Sequence, residues 1–266
     1  MTLQLTAPAA GVRMPGPGAV LVRNRLVARR MWLLMASGFF EPVLYLAAMA
    51  WGVGALVGDV TVAPGHAVPY VEFVAPALLA TSAMNGAVYE STTNVFWKLR
   101  YLKVYDAVLA SPMSVSGLIA GEICWSQIRG IMYAAGFMLI TISAHWTPSA
   151  WTVLAVPAVV LVGLAFSGLG TLVTTFLRSW QDMELVTLGQ RAMFLCSATF
   201  YPLSVYPRGL RDIVVLTPLY HANELLRGLC EGRLEPGLLE HAAYLVVMAV
   251  ACVGLAARRV EAALRR

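Results

Sequence analysis

The chain has 266 residues, of which 59% are hydrophobic and only 12% are charged, and its formal net charge is +5. Average globular domains have about twice that charged fraction, which excludes a water-soluble protein. The basic residues cluster at the ends of apolar stretches, so the positive charge does not indicate nucleic-acid binding. The composition indicates an integral membrane protein with small parts outside the membrane.

The first residues differ in composition from the rest of the chain. Residues 1–18 are rich in glycine and proline and lack an apolar core, so we expect a short disordered cytoplasmic tail rather than a signal peptide. Residues 19–31 mix valine and leucine with four arginines, which is typical of a helix on the inner membrane surface. A plain basic stop before the first span explains the same residues, and the sequence leaves both interpretations open.

Six apolar stretches follow. A helix needs about 20 apolar residues to cross a membrane. The stretches that satisfy this requirement, at least approximately, cover residues 32–57, 70–90, 115–144, 150–177, 185–201 and 241–257. The sequence therefore predicts an all-α integral membrane protein with six transmembrane helices.

The basic residues predict the orientation of these spans. Most of the 19 lysines and arginines lie before the first span, after the second, after the fourth or after the sixth. The loops 58–69 and 145–149 contain neither lysine nor arginine. Because positively charged loops stay in the cytoplasm, we expect both termini to be cytoplasmic.

The cytoplasmic connection between spans two and three, residues 94–114, has the length of a short helix. It begins with basic residues, and apolar residues recur in it at helical spacing. An amphipathic helix at this place is suited to dock a soluble partner, because apolar anchors in a groove supply affinity. A helix that merely packs on the inner leaflet explains the pattern too.

The segment between spans five and six, residues 200–230, is apolar but interrupted. Irregular backbone at membrane depth persists only where protein or a water-filled cavity satisfies it. We therefore expect the segment to dip into the membrane and return, beside a path for something polar. The interrupting residues are Pro202, Arg208, Arg211, Asp212, Pro207, Pro218, Glu224 and Arg227.

Ionisable residues within predicted spans are costly in lipid and often functional, and four of them stand out here. They are Glu41, Glu122, Arg129 and Arg191. One interpretation is a polar lining or gate of a translocation path, and the other is a set of structural ion pairs. The two remain open, although Glu41 beside Pro42 favours a structural role.

The chain has no motif for catalysis or metal binding. A phosphate-binding loop needs a lysine after glycine, and neither Lys98 nor Lys103 has that context. The four histidines lack zinc spacing, and no serine lies in a nucleophile elbow. We therefore expect a non-catalytic chain without a cofactor, whose energy comes from elsewhere.

Several motifs in order resemble the ABC-2 type permease family of drug, nodulation lipo-oligosaccharide and polysaccharide exporters. They cover residues 40–46, 70–78, 105–114, 121–122, 200–203, 218–221 and 226–228. The resemblance extends over about residues 20–260, and it implies a single transmembrane domain over 19–266. It also implies an N-terminal interfacial helix and two re-entrant helices between spans five and six.

The resemblance further implies partners. Two permease chains, the same or different, would pair within the lipid, and each would rest on one of two ATPase subunits that bind ATP and magnesium. The family's ATPase-contacting helix corresponds to Tyr105, Asp106, Leu109, Ser111 and Pro112 here. Its outer re-entrant region corresponds to a gate that includes Tyr201, Pro202 and Tyr220.

Together these features lead us to expect the permease subunit of an ATP-driven exporter in a bacterial cytoplasmic membrane. Its cargo would be amphipathic: a drug, a glycolipid or a lipid-linked glycan. A proton-coupled transporter that uses Glu41 or Glu122 as its proton carrier is an alternative. A membrane-embedded enzyme for lipid-linked sugars and a purely structural membrane subunit are two others.

Overall fold

The computed structural model describes residues 16–30, 40, 42–63, 66–98, 114–147 and 149–264. Nearly all of these residues are helical, as expected. We number the helices α1 Pro17–Arg30, α2 Pro42–Val57, α3 Tyr70–Tyr89, α4 Val115–Ser143, α5 Ala155–Thr174, α6 Asp182–Cys196, α7 Arg208–Leu216, α8 Pro218–Glu231 and α9 Gly237–Leu264. A π-type turn, Glu90–Asn94, continues α3, and 3-10 turns cover Ala150–Leu154 and Leu203–Val205.

Among the described residues, four helical stretches are long and apolar enough to cross a membrane, which makes the chain a multi-pass membrane protein by length and composition. They are Tyr70–Asn94, Gly117–Ser143, Ala150–Thr174 and Gly237–Val260. Within the described residues, α2 is a shorter apolar helix and α6 has only 15 residues. The sixfold count of spans and the re-entrant helices therefore stay predictions.

Helix α3 forms the centre of the bundle. It is apolar on all sides, and Phe73, Val74, Leu78 and Met84 are among its fully buried side chains. Helices α4, α5 and α8 pack on it, and α9 packs mainly on α5. A helix that is hydrophobic all round is expected in such a surrounded position, since no face of it suits water.

Small residues let α5 approach its neighbours closely. A Cβ atom at Gly168 would lie 3.0 Å from the backbone nitrogen of Val253 in α9. At Gly170 it would overlap the hydroxyl of Ser91. Close backbone approach at small residues is the usual way in which membrane helices associate.

A β-hairpin occupies the region between α2 and α3, where the sequence alone indicates only a loop. Strand β1, Asp59–Ala63, pairs antiparallel with β2, His66–Pro69, and Val60 lies opposite Val68. We call this end of the bundle the hairpin end; α3, α5 and α9 begin there and α8 ends there. At the opposite end, the basic end, α1 contacts the start of α4.

Candidate functional site

Four polar side chains from three parts of the chain meet at the basic end. Arg23 and Asn24 belong to α1, Lys98 follows α3, and Glu122 lies in the second turn of α4. Arg23 donates a hydrogen bond of 2.6 Å to Glu122 Oε1, and Lys98 donates one of 2.7 Å to Oε2. The Asn24 amide donates to Oε2 at 3.0 Å. Both oxygens of the Glu122 carboxylate therefore accept hydrogen bonds. We call these four residues the Glu122 cluster.

The cluster forms because α1 lies unusually close to α4. A Cβ atom at Gly121 would lie 2.7 Å from the Cβ of Val20 and 3.0 Å from the carbonyl oxygen of Pro17. Only glycine permits this approach without displacement of α1. The neighbouring residue Glu122 thereby comes within hydrogen-bonding distance of Arg23.

The Glu122 cluster contains more positive than negative charge. Lys98 is 8% exposed, and burial lowers the pKa of its ammonium group, an effect that the Glu122 carboxylate opposes and Arg23 reinforces. Within the described part of the chain, the buried Nη1 of Arg23 has no hydrogen-bond partner. Glu122 is therefore the residue on which the cluster depends, because its loss would leave two cations facing each other.

The cluster includes Lys98 before the connection 99–113 and Glu122 after it. The connection itself lies outside the described residues. Lys98 immediately precedes that connection, and Ser114 immediately follows it and accepts a hydrogen bond of 3.1 Å from the backbone of Gly117. The predicted ATPase-contacting residues Tyr105, Asp106, Leu109, Ser111 and Pro112 all belong to this connection, and Glu41 also lies outside the described residues. Their roles stay predictions.

A second ion pair joins α3 to α4 deeper in the bundle. Arg129 pairs with Glu90 and donates to the hydroxyl of Tyr133 at 2.8 Å. Asn94 donates to the other Glu90 oxygen at 2.6 Å. The guanidinium group also lies over the rings of Tyr133 and Tyr89, at 5.3 and 5.8 Å from their centres. Arg129 therefore has a different partner from Glu122, although the two residues are seven positions apart on one helix.

At the hairpin end, the fully buried Arg227 of α8 binds the backbone of two other regions. Its Nε donates to the carbonyl of Phe73 at 3.0 Å, and its Nη2 donates to those of Ala198 and Thr199. Its Nη1 pairs with Glu224 at 2.8 Å. Ala198 has a left-handed backbone (φ 54°), so the chain leaves α6 abruptly and its carbonyls need such a donor.

Neutral hydrogen bonds complete the attachment of this irregular segment. Asn223 of α8 donates to the carbonyl of Ser197 at 2.8 Å and to the hydroxyl of Thr199 at 3.2 Å. The hydroxyls of Ser197 and Thr217 lie 2.8 Å apart. The carbonyls of Ser197, Ala198 and Thr199, directly after α6, are thus satisfied by protein groups, as irregular backbone inside a membrane would require.

The other predicted gate residues are distributed along this region. Tyr201 is 40% exposed, with its ring centre 4.7 Å from that of Tyr206, and Pro202 directly precedes the 3-10 turn. Tyr220 is half-buried and contacts the ring of His241 in α9 edge to face. Arg191 is exposed on α6 and forms no ion pair with any described residue. Whether these residues line a path stays a prediction.

Sequence reasoning missed several members of these sites. Glu90, Asn94 and Asn24 were not singled out, and Arg23 and Lys98 were interpreted only as flanking positive charges. Glu90 carried a usable signal, since a carboxylate ending an apolar stretch is a natural partner for an arginine inside the next span. The motif 226–228 singled out Arg227 among the arginines of its segment, but nothing in the local sequence identified the carbonyls that it binds.

Comparison with known proteins gives consistent matches over most of the chain. Residues 18–230 match the family described as ABC-2 type transporter. The chain is 28% identical to Nodulation protein J of Sinorhizobium fredii (strain NBRC 101917 / NGR234) over 247 residues, 91% of this chain and 92% of that protein. It is 28% identical to Nodulation protein J of Rhizobium leguminosarum bv. viciae, over 84% of this chain and 83% of that protein. No solved structure matches the chain.

Proposed function

We propose that this chain, which belongs to the ABC-2 type transporter family, exports an amphipathic molecule using ATP that a separate subunit hydrolyses. Membership of the family makes it a permease subunit of an ABC exporter. That the chain has no catalytic activity of its own is part of the proposal. The amphipathic cargo, the two ATPase subunits with their ATP and magnesium, and the second permease chain are parts of the proposal.

The Glu122 cluster is the observation that carries this proposal. Three elements would have to move together if an ATPase acted on the 99–113 connection: the end of α3, the start of α4 and helix α1. Glu122 joins all three through Lys98 and Arg23. Charge-assisted hydrogen bonds of 2.6 to 2.7 Å are among the stronger non-covalent contacts, and they are suited to transmit a displacement.

The proposed orientation puts the basic end in the cytoplasm of a bacterial cell, with both termini on that side of the cytoplasmic membrane. The positive residues at the ends of α1 and α9 support this orientation, since positive segments are retained in the cytoplasm. The 99–113 connection would then be accessible to a soluble ATPase. The hairpin end would face outward, and the segment between α6 and α8 would shape the outer gate.

The composition of the spans supports an amphipathic cargo. The ionisable side chains Glu90 and Arg129 between α3 and α4 are paired with each other, so this interface offers little free charge to a small ion. The alternative of a proton carrier at Glu122 has less support, because both of its oxygens already accept hydrogen bonds from Arg23 and Lys98.

The decisive experiment is purification of the tagged chain from its native membrane in mild detergent, followed by identification of what accompanies it. We expect one ATPase subunit per permease chain, vanadate-sensitive ATP hydrolysis, and ATP-dependent accumulation of a fluorescent amphiphile in inside-out vesicles. Absence of an ATPase under several gentle conditions, with transport that follows the proton gradient, would refute ATP coupling.

The docking residues can be tested in the same preparation. Asp106→Arg and Leu109→Asp should abolish association with the ATPase while the chain still inserts into the membrane. The matched control is Asp212→Arg, which places the same charge change on exposed helix α7 at the opposite end of the chain's bundle. Normal co-purification of both docking variants would contradict the assignment of residues 94–114 as the coupling helix.

A further inference from the structure

A cavity of about 430 Å³ opens at the hairpin end between α8 and α9. Its volume falls within the range of about 300–1,000 Å³ that is usual for small-molecule sites. Its walls are almost entirely apolar, and its single charged residue is Glu235. The apolar residues that line it are Leu225, Leu229, Leu234, Pro236, Leu238, Leu239 and Ala242.

The cavity lies where a membrane-spanning stretch begins. Gly237–Val260 is long and apolar enough to cross a membrane, and Leu239, in its first turn, is 75% exposed. Ala242 also lines the cavity, three residues further along α9, or slightly less than one helical turn. An apolar wall at this level is covered by hydrocarbon more favourably than by water.

The rim of the cavity carries an excess of negative charge. Arg233 donates a hydrogen bond of 2.6 Å to Glu231, whereas its distance to the Glu235 carboxylate is 4.0 Å. The Glu235 side chain is 70% exposed and the Glu231 side chain 3% exposed. Two carboxylates thus face one guanidinium group, and that group is committed mainly to Glu231. Glu235 remains available for a cationic group that arrives from the membrane surface.

We propose that this cavity binds phosphatidylethanolamine from the adjoining leaflet, with one acyl chain between α8 and α9 and the ammonium group on Glu235. The ammonium group can donate hydrogen bonds to the carboxylate, whereas the quaternary nitrogen of choline has no proton to donate. The head group of phosphatidylglycerol carries a net negative charge, so the negative rim of the cavity repels it. The site therefore ranks ethanolamine above choline and choline above glycerol head groups.

Binding would stiffen the joint between the two helices. A Cβ atom at Gly228 would overlap the side chain of Leu238, so α8 and α9 already touch on the side of the turn. The cavity is the place where their contact is incomplete. A bound acyl chain would complete it, whatever molecule the protein exports, so this inference does not depend on the proposed cargo.

The test uses the purified full-length chain, delipidated in detergent, with three phospholipids that share the same acyl chains. Native mass spectrometry and the melting temperature report binding. We expect the ethanolamine lipid to bind about tenfold more tightly than the choline lipid, and Glu235→Gln to remove that preference. The matched control is Glu240→Gln, an exposed carboxylate in the first turn of α9 that does not line the cavity.

A second variant tests the apolar part of the site. Ala242→Phe introduces a large side chain into the wall of the cavity, so it should reduce binding of all three lipids at least tenfold while the chain remains monodisperse in gel filtration. Equal binding of ethanolamine and glycerol lipids would overturn the proposal. Unchanged head-group preference in Glu235→Gln, or unchanged lipid binding in Ala242→Phe, would overturn it as well.

Discussion

The two ends of the bundle use arginine in different ways. At the basic end, Arg23 binds a carboxylate side chain on another helix, and its own side chain is 29% exposed. At the hairpin end, Arg227 is 1% exposed and binds mainly backbone carbonyls. Side-chain ion pairs between separate elements can adjust their geometry as those elements move, whereas hydrogen bonds to backbone carbonyls fix the path of the chain itself.

This difference indicates that the two ends of the bundle have different mechanical roles. Polar contacts at the basic end connect α1, α4 and the end of the helical stretch that continues α3 through side-chain ion pairs, which suits a region that receives movement. Contacts at the hairpin end hold irregular backbone in one arrangement, which suits a region that keeps its shape. The substitutions below test this difference, and each changes one type of contact.

The largest effect is expected for Arg227→Met, which breaks the fixed arrangement. It leaves the carbonyls of Phe73, Ala198 and Thr199 without this donor, and each unsatisfied buried group costs about 1–3 kcal/mol. The total approaches the whole stability of about 5–15 kcal/mol that is typical of a domain. We expect aggregated protein in fluorescence-detected gel filtration.

Arg191→Met is the control for that substitution. It removes an arginine of the same size from an exposed position on α6, and it should give monodisperse protein. If Arg227→Met is as monodisperse as Arg191→Met, the carbonyl contacts are dispensable and the proposed rigidity of the hairpin end is wrong.

Glu122→Gln is expected to break the movable contacts with less damage to the fold. Removal of one partner from a largely buried ion pair costs about 3–5 kcal/mol, although partial exposure of Arg23 reduces that figure here. The variant should still insert and bind its ATPase, but ATP-dependent transport should fall by an order of magnitude or more. Transport assays in inside-out vesicles, normalised to the amount of complex, measure this loss.

Addition of Lys98→Met to Glu122→Gln sharpens the test. The double variant removes the cation that Glu122→Gln leaves unpaired at Lys98. Its loss of stability should therefore be smaller than the sum of the losses in the two single variants, as expected for residues in contact. Strict additivity would show that the two side chains do not act together. Glu240→Gln, which removes an exposed carboxylate from α9, should leave transport unchanged.

Gly121→Ala is expected to have an intermediate effect, because it tests the approach of α1 without a change of charge. The added Cβ would lie 2.7 Å from that of Val20, and overpacking of this kind costs about 1–3 kcal/mol. The melting temperature should fall, and Gly130→Ala on the same helix, with no atom within 4 Å of its Cβ, should not lower it. Equal melting temperatures would show that α1 is not held at this glycine.

The smallest effect is expected for Asp182→Asn, before the predicted fifth span. The Asp182 carboxylate accepts hydrogen bonds from the backbone of Arg178 at 2.7 Å and Ser179 at 3.0 Å, and these bonds lower its pKa below the ordinary value of 3.8. Its contribution to stability is therefore complete above that value and is lost as the pH falls through the lowered pKa. The wild type should melt slightly above the variant at neutral pH, and the difference should vanish in strong acid.

The sequence predicted the helices that are long and continuously apolar. It did not predict the side-chain partners, because these depend on tertiary contacts. Helices α3, α4 and α5 lie within about a turn of the predicted spans because each needs only its own apolar residues. The partner of Arg129 was not predictable in the same way, since Glu90 lies 39 positions earlier and only the packing of α3 on α4 brings them together.

The β-hairpin and the irregular segment after α6 show two further reasons why parts of the structure were not predictable from the sequence. Strands β1 and β2 have five and four residues, which is too short for a clear alternating pattern, although Pro64-Gly65 between them is a turn signal in the sequence. The interruption after α6 was predicted from its prolines and charges. The particular carbonyls that Arg227 satisfies depend on the placement of α3, which local sequence does not encode.

The contact between Arg227 and Phe73 spans 154 positions of the chain, and this has a consequence for how the protein is made. A ribosome releases α3 and the interruption after α6 well before it releases Arg227. Until then, the nascent chain carries carbonyl groups whose donor does not yet exist. Completion of the hairpin end therefore waits until Arg227 has been synthesised, 154 positions after Phe73.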